Sequence, residues 1–154
     1  MQKLDLPEYK FKYRSEGSKT LILDDIRKKY VAMTPEEWVR QNFLKYLITE
    51  KKYPASLIIV EAALKLNTLK KRCDAVVYNN CGKPLLIVEC KAPEVDVTQK
   101  TFDQIARYNM TYKVNYLIVT NGIKHFCCRI DFKKMNYIFL ESIPAFEEIM
   151  VNCG

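Results

Sequence analysis

The sequence predicts an α/β domain, a mixed central sheet flanked by helices. Three observations predict it. A sharply signalled helix begins at Thr34, three apolar, β-branched runs joined by short turns follow it, and a second capped helix precedes another apolar strand. Three consecutive strands with short connections pair most simply as an antiparallel meander. A helix after the third strand allows a crossover to a parallel fourth.

The elements read in order as follows. Residues 1–31 form an N-terminal extension. Lys10–Arg14 alternates charge and aromatic, Glu16-Gly17-Ser18-Lys19 is turn-like, and Leu21-Ile22-Leu23 returns as a partner strand. Arg27-Lys28-Lys29 is a small basic cluster. The first helix takes Thr34 as N-cap, Pro35 at its first position and Glu36 and Glu37 in its first turn. Thr34 and Glu37 have capping-box spacing. Val39, Phe43, Leu47 and Ile48 form its apolar stripe, and it ends near Glu50. One strand is expected from Leu57 to Leu66, a turn at Asn67-Thr68, a second strand from Cys73 to Tyr78 and a third from Pro84 to Lys91. Thr98 caps a second helix that runs to about Tyr112. Tyr116–Thr120, His125–Ile130 and Tyr137–Leu140 read as further strands. The core is thus 34–130, with 131–154 a C-terminal extension, all within a single domain of 154 residues.

Composition narrows the function. Only four glycines are present, with no GxGxxG or GxxxxGK[ST] string, so neither a dinucleotide fingerprint nor a P-loop is visible. No apolar run approaches a membrane span. Twenty-five Lys and Arg against 18 Asp and Glu leave a formal charge of +7, which suits a polyanionic partner such as nucleic acid. The six cysteines show no zinc spacing, and Cys127 and Cys128 are adjacent. Together with a start that lacks a signal-peptide pattern, this reads as reduced core thiols in a cytoplasmic protein. A lone histidine, His125, removes most Ser/His/Asp and Cys/His mechanisms unless it is itself the base.

The chemistry concentrates on the third strand. Alternation puts Glu89 and Lys91 on one face and Leu86, Val88 and Cys90 on the other. A turn centred near Cys81 places Asp74 opposite residue 88 or 89. Two carboxylates this close repel unless a cation lies between them. Mg²⁺, bound by oxygen ligands, meets that need, with the Cys90 carbonyl as a further ligand and Lys91 beside it for an anionic group. A plain salt bridge between Lys91 and Asp74 or Glu89 is the bland alternative. Glu36 adds a third carboxylate along the edge of the first helix, and Arg40 lies one turn on. Glu37, with its capping spacing, is the better complement to the helix N-terminus. In the second helix Gln104 and Tyr108 share a face.

These residues resemble the PD-(D/E)xK nuclease superfamily, and most closely the N-terminal nuclease domain of type I restriction enzyme R subunits. The strings are Thr34-Pro35-Glu36-Glu37-Trp38-Val39-Arg40-Gln41, Lys71-Arg72-Cys73-Asp74, Gly82–Pro93 with Glu89-Cys90-Lys91, and Phe102–Asn109. The resemblance spans positions 34–122. It implies a restriction-endonuclease-like αβββαβ core and Mg²⁺-dependent hydrolysis of DNA phosphodiesters, with Mn²⁺ as an alternative ion. Asp74, Glu89 and Lys91 would be the catalytic core, Glu36 the helix acid, and Gln104 with Tyr108 an accessory motif like that of the RecB-like branch. Cys73 stands where the pattern has Pro. R subunits carry a motor after the nuclease and this sequence ends at Gly154, so a nuclease-like domain without the motor is expected, alone, as a homodimer or with partner subunits. Arg27, Lys28, Lys29, Arg40, Lys70, Lys71 and Arg72 are candidate phosphate contacts. A module that binds nucleic acid or a partner protein without cleaving anything is the alternative on the same fold.

Overall fold

The computed structural model describes residues 1–151. Three short strands, β1 (Tyr13–Glu16), β2 (Lys19–Asp24) and β3 (Lys29–Ala32), make an antiparallel meander of their own, so the expected hairpin gains a third strand from the basic cluster. Helix α1 follows (Pro35–Thr49), then β4 (Ile58–Val60), β5 (Ala63–Leu66), β6 (Leu69–Arg72), β7 (Ala75–Tyr78) and β8 (Pro84–Cys90). Helix α2 (Gln99–Met110), β9 (Tyr116–Thr120), β10 (His125–Asp131), β11 (Asn136–Phe139) and the short α3 (Phe146–Ile149) come next among the described residues. The main sheet has six strands in the order β11-β10-β9-β8-β7-β4. β4, β7 and β8 are antiparallel as the meander predicts, and β8 pairs parallel with β9 across the α2 crossover.

Local signals explain the helices. The Thr34 side chain accepts the Glu37 amide at 3.0 Å, and Pro35 starts α1. Thr98 caps α2 by accepting the Thr101 amide. Only half of the expected capping box forms, because the Glu37 carboxylate turns away from the cap to two arginines.

Helix α1, joined by the short α3, covers one face of the sheet and α2 covers the other. Val39, Phe43 and Leu47 of α1 pack with Ala75, Val77, Leu86, Val88 and Cys90. Phe102, Ala106 and Met110 of α2 pack with Val76, Ile87, Leu117 and Val119. This is the period-two alternation of β7 and β8 read out as two cores. Each fully buried Leu, Ile or Phe here contributes on the order of 2 kcal/mol. Gly122 docks the N-terminal segment, since its φ is +86° and a Cβ there would lie 2.7 Å from Leu4. Its carbonyl accepts the Asp5 amide at 2.9 Å.

The expected Leu57–Leu66 strand is a strand with a bend. Glu61 has φ 55°, and the chain divides there into β4 and β5. The partner strand divides too, into β6 and β7, so the second strand starts two residues later than expected, and Leu69–Arg72 pairs with β5 as an arm. Pairing register is continuous across the bend: Val60 faces Ala75, the Glu61 amide donates to the Asp74 carbonyl, the Cys73 amide donates to the Ala62 carbonyl, and Ala63 faces Arg72. Cys73, Cys90, Cys127 and Cys128 are buried free thiols, as the composition suggests. Cys81 differs: it lies exposed in the β7–β8 turn and is disulfide-bonded. Cys153 is outside the described residues. Among the described residues no helix is long and apolar enough to cross a membrane.

Candidate active site

The bend places Asp74 immediately before β7, beside the end of β8. Ala75 pairs with Val88, so one residue further Asp74 stands opposite Glu89. The Asp74 side chain reaches across the strand end, and its Oδ2 accepts the Cys90 amide at 2.7 Å. The other oxygen, Oδ1, lies 3.9 Å from an Arg40 guanidinium nitrogen. The Cys90 side chain points into the α1 core, which leaves Glu89 and Lys91 on the α2 face. The Lys91 amide donates to the Thr120 carbonyl at 2.8 Å, which prolongs the β8–β9 pairing through this residue.

Glu89 is only 14% exposed at its side chain. Burial pushes its carboxyl above the usual carboxylate range, the Lys71 ammonium pulls it back, Asp74 raises it further and Lys91 lowers it. Asp74 and Lys91 therefore both act on Glu89 at electrostatic range. The nearest cation is Lys71 of β6, whose Nζ donates to Glu89 Oε1. The same ammonium donates to Asn109 Oδ1 at 2.9 Å and lies 4.8 Å from the centre of the Tyr108 ring.

A second set of charges lies between α1, the three-stranded sheet and the bend. Glu37 is buried, and both oxygens of its carboxylate are engaged: Arg27 donates to Oε1 at 2.7 Å and Arg40 to Oε2 at 2.8 Å. Arg27 also pairs with Asp24 and Glu61. Burial works against the Arg40 charge, but Glu37 and then Asp74 outweigh it and hold the guanidinium pKa raised. Glu61 is held below the ordinary carboxylate range, chiefly by a hydrogen bond from Arg72. A cleft of about 410 Å³ opens beside this network, lined by Thr34, Glu36, Glu37, Arg40, Glu61 and Asp74 among others.

The candidate residues thus separate into groups. Asp74, Glu89, Cys90 and Lys91 lie at the strand ends: register sets Asp74 opposite Glu89, the Asp74 carboxylate accepts the Cys90 amide, and Glu89 feels the charges of Asp74 and Lys91. Glu36 is exposed and shares the cleft with Asp74, while Glu37 is committed to the arginines. Tyr108 is exposed and meets the site through Lys71; Gln104 is exposed, with no hydrogen bond to Glu89 or Lys91 among the described residues. It is the last turn of α2, not its early part, that reaches the Lys71–Glu89 pair, through Asn109 and Tyr108 on Lys71. Of the basic residues, Lys28, Lys29 and Lys70 are exposed, and Arg72 is exposed but paired with Glu61 at 2.8 Å. Arg27, Arg40 and Lys71 were expected at phosphates and are instead engaged in the ion pairs above. His125 is structural: Nε2 lies 2.9 Å from the Asp5 carbonyl, so it donates there, and Nδ1 then accepts from Thr120 at 2.7 Å.

Sequence reasoning missed Asn109 and the Arg27–Glu37–Arg40 set. Asn109 is fully buried, a polar residue in the apolar stripe of α2. That one polar interruption was the available signal.

The matching family is the type I restriction enzyme R protein N terminus, over residues 35–144. This chain belongs to that family. The fold is similar to a fragment assigned as an HsdR subunit of a type I restriction enzyme from Vibrio vulnificus YJ016, at 18% identity and a TM-score of 0.53 over 74% of this chain. The chain spans 24% of that fragment's length. A protein assigned as a nuclease of the DUF820 group from Anabaena variabilis ATCC 29413 is similar at 11% identity, with a TM-score of 0.48, over 90% of this chain and 89% of that one. No curated protein matches the chain. The likeness to the HsdR fragment and the mixed sheet flanked by helices bear out the expected restriction-endonuclease-like fold.

The donor chemistry at the strand ends fits Mg²⁺. Two carboxylates and a backbone carbonyl are hard oxygen ligands, and Mg²⁺ ordinarily completes its shell with waters. Among the described residues no group of three or more His, Cys, Asp or Glu forms a ready metal cage.

Proposed function

We propose that this chain is a metal-dependent deoxyribonuclease domain that hydrolyses DNA phosphodiesters at the ends of β7 and β8. The observation that supports the reading is the register that sets Asp74 opposite Glu89 across those strands, with Lys91 on the Glu89 face, in a member of an R-protein N-terminal family.

Asp74 and Glu89 would hold Mg²⁺, with the Cys90 carbonyl as a third ligand, and the ion would supply a water of lowered pKa and charge neutralisation at the phosphate. The Cys90 amide fixes the Asp74 carboxylate through Oδ2. Lys91 orients the attacking water and stabilises charge on the phosphate as it develops. Glu36, on the rim of the cleft beside Asp74, is the helix acid of this reading. Gln104 and Tyr108 present a polar face of α2 to the DNA backbone. Lys28, Lys29, Lys70 and Arg72 are the exposed cations that position the duplex through phosphates. DNA and the subunits of a restriction system are the proposed partners, in the cytoplasm.

One observation favours a second reading, a non-cleaving binding module: Lys71 already compensates Glu89 from within the protein. Incubation of the purified protein with linear and supercoiled DNA in Mg²⁺, Mn²⁺ or EDTA separates the two. The nuclease reading expects cleavage with either ion and none in EDTA. It also expects Mn²⁺ to raise the melting temperature of the wild type far more than that of Asp74→Asn, since binding to the native state alone stabilises it. DNA binding without cleavage, and equal melting shifts in both proteins, would establish the binding module.

A further inference from the structure

Lys71 sits in a seat that fits an ammonium from three sides. Glu89 of β8 supplies a carboxylate oxygen, Asn109 of α2 an amide oxygen at 2.9 Å, and Tyr108 an aromatic face at 4.8 Å. The amide is itself fixed, because Asn109 Nδ2 donates to the Ile105 carbonyl at 2.7 Å, which directs Oδ1 to Lys71. The lysine side chain is only 10% exposed. Surface lysines elsewhere on the same arm have no such seat: Lys65 and Lys70 are exposed.

The seat has a consequence for Glu89. A carboxylate this buried needs a cation, and Lys71 meets that need at Oε1 of the carboxylate that the proposed metal would use. An ammonium and a divalent cation repel, so they cannot both lie against one carboxylate without cost. We propose that Lys71 is a positioning residue that holds Glu89 in place as an internal counter-cation and gives it up when a divalent ion binds. The inference rests on the metal-dependent reading above. It assigns Tyr108 and Asn109 to Lys71, and Lys71 itself to the metal site instead of a phosphate.

Mn²⁺ binding to purified protein, followed by titration calorimetry at fixed ionic strength, tests this directly. Lys71→Gln is expected to bind Mn²⁺ about tenfold more tightly than wild type, the order set by one charge-assisted hydrogen bond no longer broken on binding. Without metal, Lys71→Gln should melt below the wild type, and saturating Mn²⁺ should narrow that gap. Tyr108→Ala removes only an exposed ring and leaves folding intact. It should tighten Mn²⁺ binding about two- to threefold, in line with a partly exposed cation–π contact. Equal or weaker Mn²⁺ binding in both variants would overturn the role of Lys71 while leaving the metal reading standing. If wild type, Lys71→Gln and Tyr108→Ala all fail to bind Mn²⁺, the metal reading falls and this inference with it.

Discussion

Glu61 and Asp74 face each other across the bend of one antiparallel ribbon, joined by a 2.8 Å hydrogen bond from the Glu61 amide to the Asp74 carbonyl. Glu61 has φ 55°, a left-handed conformation that L-residues adopt at a cost. The bend releases Asp74 from strand geometry, so its carboxylate reaches the Cys90 amide at the end of β8. The Glu61 side chain meanwhile meets Arg27 and Arg72. One residue thus shapes the backbone of the candidate site and anchors the charges around it.

Glu61 variants separate these two roles. Glu61→Ala and Glu61→Gly both lose the carboxylate, but only glycine accepts the left-handed φ freely. Glu61→Gly is expected to be more stable than Glu61→Ala by about 1 kcal/mol in urea unfolding. The lowered pKa of Glu61 also sets a pH dependence. Its contribution is complete above the ordinary value of 4.5 and is lost as pH falls towards the depressed folded value. Glu61→Gln should therefore flatten the acid limb of a stability profile below pH 4.5.

Lys91→Ala should abolish cleavage and leave folding intact. Lys91 continues the β8–β9 pairing through its backbone, and its side chain is partly exposed at the strand end, so truncation opens no core cavity. Loss of one such electrostatic stabiliser costs about 10²–10³ in rate. Single-turnover cleavage in Mg²⁺ measures it, with thermal melting as the control. Cleavage at the wild-type rate would reduce Lys91 to a salt-bridge partner.

The basic residues divide by environment, and mutation should reproduce the division. Arg27 is nearly buried against Asp24 and Glu37, so Arg27→Ala leaves two buried carboxylates short of a partner. The expected loss is about 3 kcal/mol of stability. Lys70 is exposed on the arm, and Lys70→Ala should change stability by less than about 0.5 kcal/mol. It should instead weaken DNA binding evenly across sequences and reduce the salt slope by about 1. Denaturant melts paired with binding titrations over a salt series test both.

Four thiols should be silent in the native protein. Burial raises Cys127 and Cys128 to about 12 and Cys73 to about 11, and raises Cys90 as well. The thiolate is the reactive form. Alkylation at pH 8 followed by peptide mapping should leave these four unmodified until the protein is unfolded. Rapid native labelling of any of them would contradict the packing described.

Local chemistry made much of this protein legible from residues alone. Thr34-Pro35 and Thr98 start helices because a hydroxyl acceptor and a missing amide donor act within one turn. The β8 and β9 runs are apolar enough to be central, and alternation along Leu86–Lys91 places Glu89 apart from Cys90. The turn at Cys81 was enough to set Asp74 opposite residue 88 or 89, and a register shift between Val77 and Tyr78 decides for Glu89. Tertiary structure alone decided the rest. The sequence carries no mark that Leu57–Leu66 bends, because Glu61 is held in a left-handed conformation by pairing with Asp74 and by arginines distant in sequence. Nor does charge reveal its own fate. Arg27, Arg40 and Lys71 read like Lys28 and Lys70, yet the first three are engaged within the protein and the other two remain in water. The reason is physical: periodicity reports which face of an element is apolar, whereas a cation's partner is set by Coulomb attraction over a few ångströms between segments that only the fold brings together.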